Sequence, residues 1–230
     1  MRDRRDAEMI DRGQLRYWVR NGYIGVRRAL GVVVLDRASG LDTSRELDLQ
    51  QVGLAHPERV RYEPTGWIDL QRIFRAHEPR PRDVFLDYGC GKGRVLVMAA
   101  RRNFARVIGV EIAPELCDVA RRNLDSDRSR RRCGAVEVVV ADVTEWEVPD
   151  DVTVAFMHNP FRGQVFEQAV AELLASLDRN PRRIRVIYRV PMEEQRLLAT
   201  GRARLVQSFV GLRPGREWSR KMGTRVYELT

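Results

Sequence analysis

Val84-Phe85-Leu86-Asp87-Tyr88-Gly89-Cys90-Gly91-Lys92-Gly93-Arg94-Val95-Leu96 decides how the whole chain is read. Val84 to Leu86 is a short apolar run of the buried-strand type. Three glycines then alternate with other residues. An apolar, helix-compatible run follows at once: Val95, Leu96, Val97, Met98, Ala99, Ala100. Strand, glycine loop and helix in that order bring backbone close to a ligand and aim a helix N-terminus at it. Glycine suits such a loop because it lacks Cβ and takes φ > 0 freely. The third glycine comes one residue too early for the dinucleotide fingerprint G-x-G-x-x-G.

Outward from this loop, apolar runs alternate with helical segments, the pattern of βαβ units and a mostly parallel sheet. Strands are expected near 84–88, 106–111, 135–141, 152–157, 184–190, 203–209 and 223–229. Helices are expected near 93–103, 114–124, 164–178 and 191–199. The second strand, Val107-Ile-Gly-Val-Glu111, ends in an acid, and so does the third, Val136-Glu-Val-Val-Val-Ala-Asp142. A carboxylate at the tip of the neighbouring strand can accept bonds from both hydroxyls of a ribose. An Asp at the next tip can receive an exocyclic amine such as that of adenine.

Upstream, the first thirty or so residues read as an amphipathic helix. Ile10, Leu15, Trp18, Val19 and Tyr23 share a face that would pack on the main domain, and Arg12, Arg16 and Arg20 share a solvated one. Gly31 to Leu35 reads as a short strand or a buried helix end, and 36–57 as a long connection. Pro64-Thr65-Gly66 is a turn signal, with Thr65 placed to cap a helix carrying Trp67, Ile68, Leu70, Ile73 and Phe74.

Four motifs in order resemble the cofactor half of the class I S-adenosylmethionine-dependent methyltransferases. They are Phe85-Leu-Asp-Tyr-Gly-Cys-Gly-Lys-Gly-Arg94, Gly109-Val-Glu-Ile-Ala-Pro-Glu115, Val140-Ala-Asp-Val143 and Phe156-Met-His-Asn-Pro-Phe161. The resemblance implies an α/β fold: a doubly wound seven-stranded, mostly parallel sheet with a C-terminal antiparallel hairpin and a helical N-terminal extension. It divides the chain into 1–82, an extension or lid, and 83–230, the S-adenosylmethionine-binding domain. It implies S-adenosyl-L-methionine as cofactor and S-adenosyl-L-homocysteine as product. Asp87 would then hold the methionine amino group, and Gly89, Cys90, Gly91 and Gly93 would form the cradle, with Cys90 as a small filler. Glu111 would hold the ribose, Ile112 would pack on adenine, and Asp142 with the Val143 amide would read the adenine edge. From their position just before the core, Tyr62, Thr65 and Trp67 are read as a lid that folds over the cofactor.

The acceptor side would be His158, Asn159 and Phe161. Family members that methylate nitrogen often carry Asn/Asp-Pro-Pro-Tyr/Phe here, and Asn159-Pro160-Phe161 is one proline short of it. Asn159 is read as an acceptor-binding residue that also borders the cofactor, or else as part of a turn that Asn-Pro closes. His158 is read either as a general base or as a satisfied, partly buried side chain. The leading acceptor is a nitrogen or oxygen of a small molecule. The alternatives are a protein lysine, an RNA, and a cofactor-binding interaction protein without turnover.

Composition narrows the classes. In 230 residues, 43% are hydrophobic, enough for a core, and the formal net charge is +9. All but two of the 41 basic residues are arginines, the lysines being Lys92 and Lys221. Nucleic acid is a possible but not a favoured partner, because no basic platform interleaved with aromatics stands out. Arg128, Arg130, Arg131 and Arg132 read as a solvated loop. The three cysteines form no C-x-x-C pair, so neither a disulfide framework nor a metal site is expected. No apolar run is long enough to span a membrane, and a cytoplasmic location is expected.

Overall fold

The structure, a computed structural model, describes residues 15, 18–19, 21–23, 25–26, 36, 40–44, 57–58, 63–211 and 216–230. Tyr62, Ile10 and the segment 31–35 lie outside the described residues.

Trp67–Ala76 forms α1, followed by β1 (Val84–Tyr88), α2 (Arg94–Ala100), β2 (Arg106–Glu111), α3 (Pro114–Ser126) and β3 (Ala135–Val140). Then come β4 (Val154–His158), α4 (Gly163–Arg179), β5 (Ile184–Arg189), α5 (Glu194–Ala199), β6 (Ala203–Phe209), α6 (Arg216–Lys221) and β7 (Thr224–Leu229). The seven strands form one sheet in the order β3-β2-β1-β4-β5-β7-β6. Every pairing from β3 to β5 is parallel, and β7 runs antiparallel to both β5 and β6. The expected C-terminal hairpin is therefore present, with its second strand inserted beside β5.

The central strand β1 is buried at every position, as a parallel strand covered on both faces must be. One face carries α1 and α2, with Leu70, Phe74, Leu96 and Val97 packed on Phe85, Val107 and Phe156. The other carries α4 and α5, with Phe166, Val170, Leu173 and Leu197 packed on Leu86, Ile108 and Tyr188. All of α2 is buried, Arg94 included. Pro114 opens α3, where a missing N–H leaves no orphan donor.

Two expectations change. The described helical positions between 15 and 26 leave apolar side chains exposed: Leu15 is 53% exposed, Trp18 69% and Val19 49%. Tyr23 is half-buried, its ring edge-on to Trp218 at 5.7 Å. A 3.6-residue apolar period marks which side of a helix is oily, but not which surface meets it. Within the long connection, Asp36, Leu41 and Thr43 are buried. Secondly, Thr65 does not cap α1. The cap position is Gly66, and no side chain bonds the free N–H groups there. Among the described residues no helix is long and apolar enough to cross a membrane.

Candidate functional site

Parallel pairing fixes where the loops meet. Asp87 is in register with Gly109 of β2 and with Phe156 of β4, and Glu111 with Val140 of β3. The C-terminal ends of four adjacent strands therefore open onto one place, where ligands bind in open α/β sheets. A cleft with about 850 Å³ of empty space, part of it open to solvent, lies there.

Of the residues anticipated from sequence, Thr65, Asp87, Gly89, Cys90, Glu111, Ile112, Asp142, Val143, His158, Asn159 and Phe161 all line it. Gly91 and Gly93 do not. The Gly91 N–H instead donates to Glu111 Oε2 at 3.0 Å, so this glycine acts on the cleft through the acid. Gly93 has φ +77°, and a Cβ there would stand 2.9 Å from Ala120 Cβ, so its glycine serves the packing of α2 on α3. Gly89 has φ +69°, and a Cβ there would stand 2.9 Å from Pro160 Cβ, so the donor loop and the acceptor loop touch.

The carboxylates differ in how they are held. Asp87 is 3% exposed, and its Oδ2 has no hydrogen-bond partner among the described residues. Burial first, and the Glu111 charge second, push its carboxyl well above the usual range. Glu111 accepts from Gly91, and its Oε1 accepts from the N–H groups of Ile112 at 2.9 Å and Ala113 at 3.1 Å. Burial still raises its carboxyl, with those three donors opposing the shift. Asp142 Oδ1 accepts from the Thr144 amide and hydroxyl at 3.1 and 2.9 Å. Burial, with Asp87 and Glu111 beside it, pushes the Cys90 thiol well up, which suits a filler and not a nucleophile.

On the acceptor side, His158 is the last residue of β4, and its Nδ1 lies 2.8 Å from Thr65 Oγ1. Asn159 follows with φ +47°, and its Oδ1 accepts from Arg162 Nη1 at 2.6 Å. Phe161 is 7% exposed and meets the Tyr88 ring edge-on at 6.1 Å. It is thus shared between the cleft wall and the core.

Two anchors were given no role by the sequence reading. Arg94, 5% exposed, donates from Nε to Thr43 Oγ1 at 2.7 Å and from Nη2 to Ser44 Oγ at 2.7 Å. Its Nη1 donates to the Thr65 carbonyl at 3.0 Å, and Nη2 pairs with Asp36 at 3.4 Å. Asp36 in turn accepts from Thr43, Ser44 and the Trp67 indole. The charge in an otherwise apolar stretch, Arg94-Val-Leu-Val-Met-Ala-Ala, was the signal that a partner had to exist.

The other anchor is Glu58. Its carbonyl accepts from the Arg162 N–H at 2.7 Å, and its Oε2 accepts from the Val165 N–H at 3.1 Å. Helix α4 has no side-chain cap of its own and no acid in its first turn. Glu58 supplies both from before the core. Replacing Glu58 with Ala is therefore expected to lower the melting temperature by a few degrees, about 1 kcal/mol for a lost cap. Gln, which keeps an acceptor oxygen, should recover most of the loss in the same thermal melts.

The fold and this cleft define the class: a Rossmann-like domain whose strand ends open onto one cleft. Residues 85–180 match the family model described as a methyltransferase domain. Among curated proteins, the chain is similar to the histone H3 lysine-79-specific lysine N-methyltransferase of Dictyostelium discoideum. They are 33% identical over 131 residues, which cover 53% of this chain and 6% of that protein. It is also similar to the ribosomal protein L11 methyltransferase of Burkholderia mallei, at 38% over 72 residues, covering 31% of this chain and 20% of the relative. A solved structure of a SAM-dependent methyltransferase from Methanosarcina mazei superposes with TM-score 0.53 at 14% identity, covering 68% of this chain and 96% of that one. The match thus spans a small part of each curated relative's length. Residues 85–180 thus match a methyltransferase domain, set in a fold shared with a SAM-dependent methyltransferase.

Proposed function

We propose that the chain transfers a methyl group from S-adenosylmethionine to a nitrogen or oxygen of a small-molecule acceptor. The observation that carries this reading is the position of Glu63, Pro64 and Thr65, which wall the cleft together with the His158–Phe161 loop. In this reading residues 1–82 are an extension that closes over a pocket of modest size, and 83–230 are the catalytic domain.

The residues present fit the cofactor. Asp87 Oδ2, a buried acceptor with no partner among the described residues, suits an ammonium. Glu111 at the tip of β2 suits the ribose hydroxyls. Ile112 and Val143 supply apolar faces for adenine, with Asp142 and the Val143 amide at its edge. When bound, the cofactor supplies a methyl group made electrophilic by its sulfonium. The chain's own residues then exclude water, align the acceptor and take its proton. Asn159 and Phe161 would form the acceptor wall, and His158 would accept the proton.

A second reading is methylation of a protein lysine. It is favoured by the two curated relatives above, whose names are those of protein methyltransferases. The experiment is direct. S-adenosylmethionine should raise the melting temperature, and labelled methyl transfer into cell extract should place label in the small-molecule fraction. Label in protein would favour the second reading. Label in RNA would overturn both, and no label in any fraction would remove the enzymatic reading.

A further inference from the structure

A threonine just before a helix ordinarily turns its hydroxyl onto the helix's first N–H groups. Thr65 does not. It is 3% exposed, and its hydroxyl lies 2.8 Å from His158 Nδ1, 93 residues further along, while α1 starts with no side-chain cap. Both ends of that contact are fixed. The Thr65 carbonyl is held by Arg94, whose guanidinium is locked by Thr43, Ser44 and Asp36. His158 ends β4, whose backbone is paired with β5, His158 lying opposite Arg189. Both side chains line the cleft.

We propose that Thr65 is a positioning residue: its oxygen accepts from His158 Nδ1–H and so holds the imidazole in the tautomer whose Nε2 carries the lone pair. This rests on the methyl-transfer reading above and narrows the acceptor to a group that sheds a proton as it is methylated, an N–H or O–H. The acceptor's lone pair forms the bond to the methyl carbon, and the carbon–sulfur pair returns to sulfur. The acceptor's proton passes to His158 and then to water. One proton is released for each methyl transferred.

The charges facing this imidazole come from several elements. Glu63 lies on the cleft wall before α1, Asp87 at the end of β1, Glu111 at the end of β2, Asp142 beyond β3 and Arg94 at the start of α2. Arg162 is held on Asn159, and Arg189 lies on the neighbouring strand, paired with Asp69. None of them changes when Thr65 is replaced, so a Thr65 variant isolates the hydroxyl.

The test combines nitrogen-15 NMR of the histidine side chains with methyl-transfer rates. The chain has three histidines, and His158→Gln assigns the signal. The wild type without cofactor should show the Nδ1–H tautomer at His158. Thr65→Val should lose that preference and Thr65→Ser should keep it. In extract labelling, Thr65→Val should slow transfer about tenfold or more and shift the acidic limb of the pH–rate profile, with Thr65→Ser restoring both. Far-ultraviolet circular dichroism and thermal melts should show that both variants fold. An Nε2–H tautomer in the wild type, or a Thr65→Val profile that matches wild type, overturns the proposal while leaving methyl transfer standing. If the wild type neither binds S-adenosylmethionine nor labels anything, the methyl-transfer reading falls and the proposal with it. The tautomer measurement still decides the Thr65–His158 contact.

Discussion

Asp87→Asn should weaken S-adenosylmethionine binding by about 10- to 100-fold and raise the melting temperature of the cofactor-free protein by a few degrees. Both effects follow from one oxygen. Asp87 is buried, its Oδ2 has no partner among the described residues, and burial and Glu111 raise its carboxyl well above the ordinary range. A buried acceptor left without a donor costs about 1–3 kcal/mol, and more when charged. Asparagine keeps the shape and removes the charge. With 1 kcal/mol worth about 2–4 °C in a chain of this size, the gain is measurable in a thermal scan. In the proposed role Asp87 accepts from the donor's ammonium, and losing that charge-assisted bond, worth about 1.5–3 kcal/mol, sets the expected affinity loss.

The pH dependence gives an independent sign. A carboxyl raised in the native state holds its proton after the unfolded chain has released it. Stability contributed by Asp87 is therefore present below the unfolded value, 3.8, and is lost as pH rises above it toward the raised native value. Cofactor-free wild type should lose melting temperature across that window, and Asp87→Asn should lose less. Unchanged donor affinity in calorimetry, or a variant no more stable than wild type at neutral pH, would sink this account of Asp87.

The apolar skeleton was legible in the sequence because it is local. Strands 84–88, 106–111 and 203–209 match to the residue, since each apolar run is stopped by a change of character at its end. Glu111 and Asp142 were legible for the same reason: each sits where such a run stops. His158 falls one residue earlier in structural terms than its motif suggested, on the strand rather than beyond it, because β4 spans Val154–His158. The polar framework was not legible. Thr65 looks like a cap, and nothing near it announces a histidine 93 positions away. Arg94 with Asp36, and Glu58 with Val165, are separated by 58 and 107 positions. Such contacts leave no period and no spacing. The short α6 was missed as well, because Arg216-Glu-Trp-Ser-Arg-Lys221 has no apolar stripe to mark it.

Arg189→Ala should destabilise the fold by about 3–5 kcal/mol, the largest single effect expected outside the site. Arg189 is the last residue of β5 and is 2% exposed. Its Nη2 donates to Asp69 Oδ2 at 2.7 Å, and Asp69, in the first turn of α1, is 3% exposed. Nη1 reaches Thr224 Oγ1, at the start of β7, at 3.4 Å. One guanidinium therefore ties a helix and two antiparallel strands. Truncation removes the guanidinium from the buried Asp69 carboxylate, and removing one partner of a buried pair costs more than the attraction alone. Asp69→Leu combined with Arg189→Met should recover most of the stability, since apolar groups of similar volume often replace a buried pair without loss. Denaturant unfolding of the two single variants and the double supplies the cycle. A cost below about 1 kcal/mol for Arg189→Ala, or a double variant no better than the singles, would show that the pair carries little of the fold. The same pair bears on the site. Helix α1 begins directly after Thr65 and Gly66, and Arg189 of β5 lies opposite His158 of β4, so the Asp69–Arg189 bond joins the immediate neighbours of Thr65 and His158.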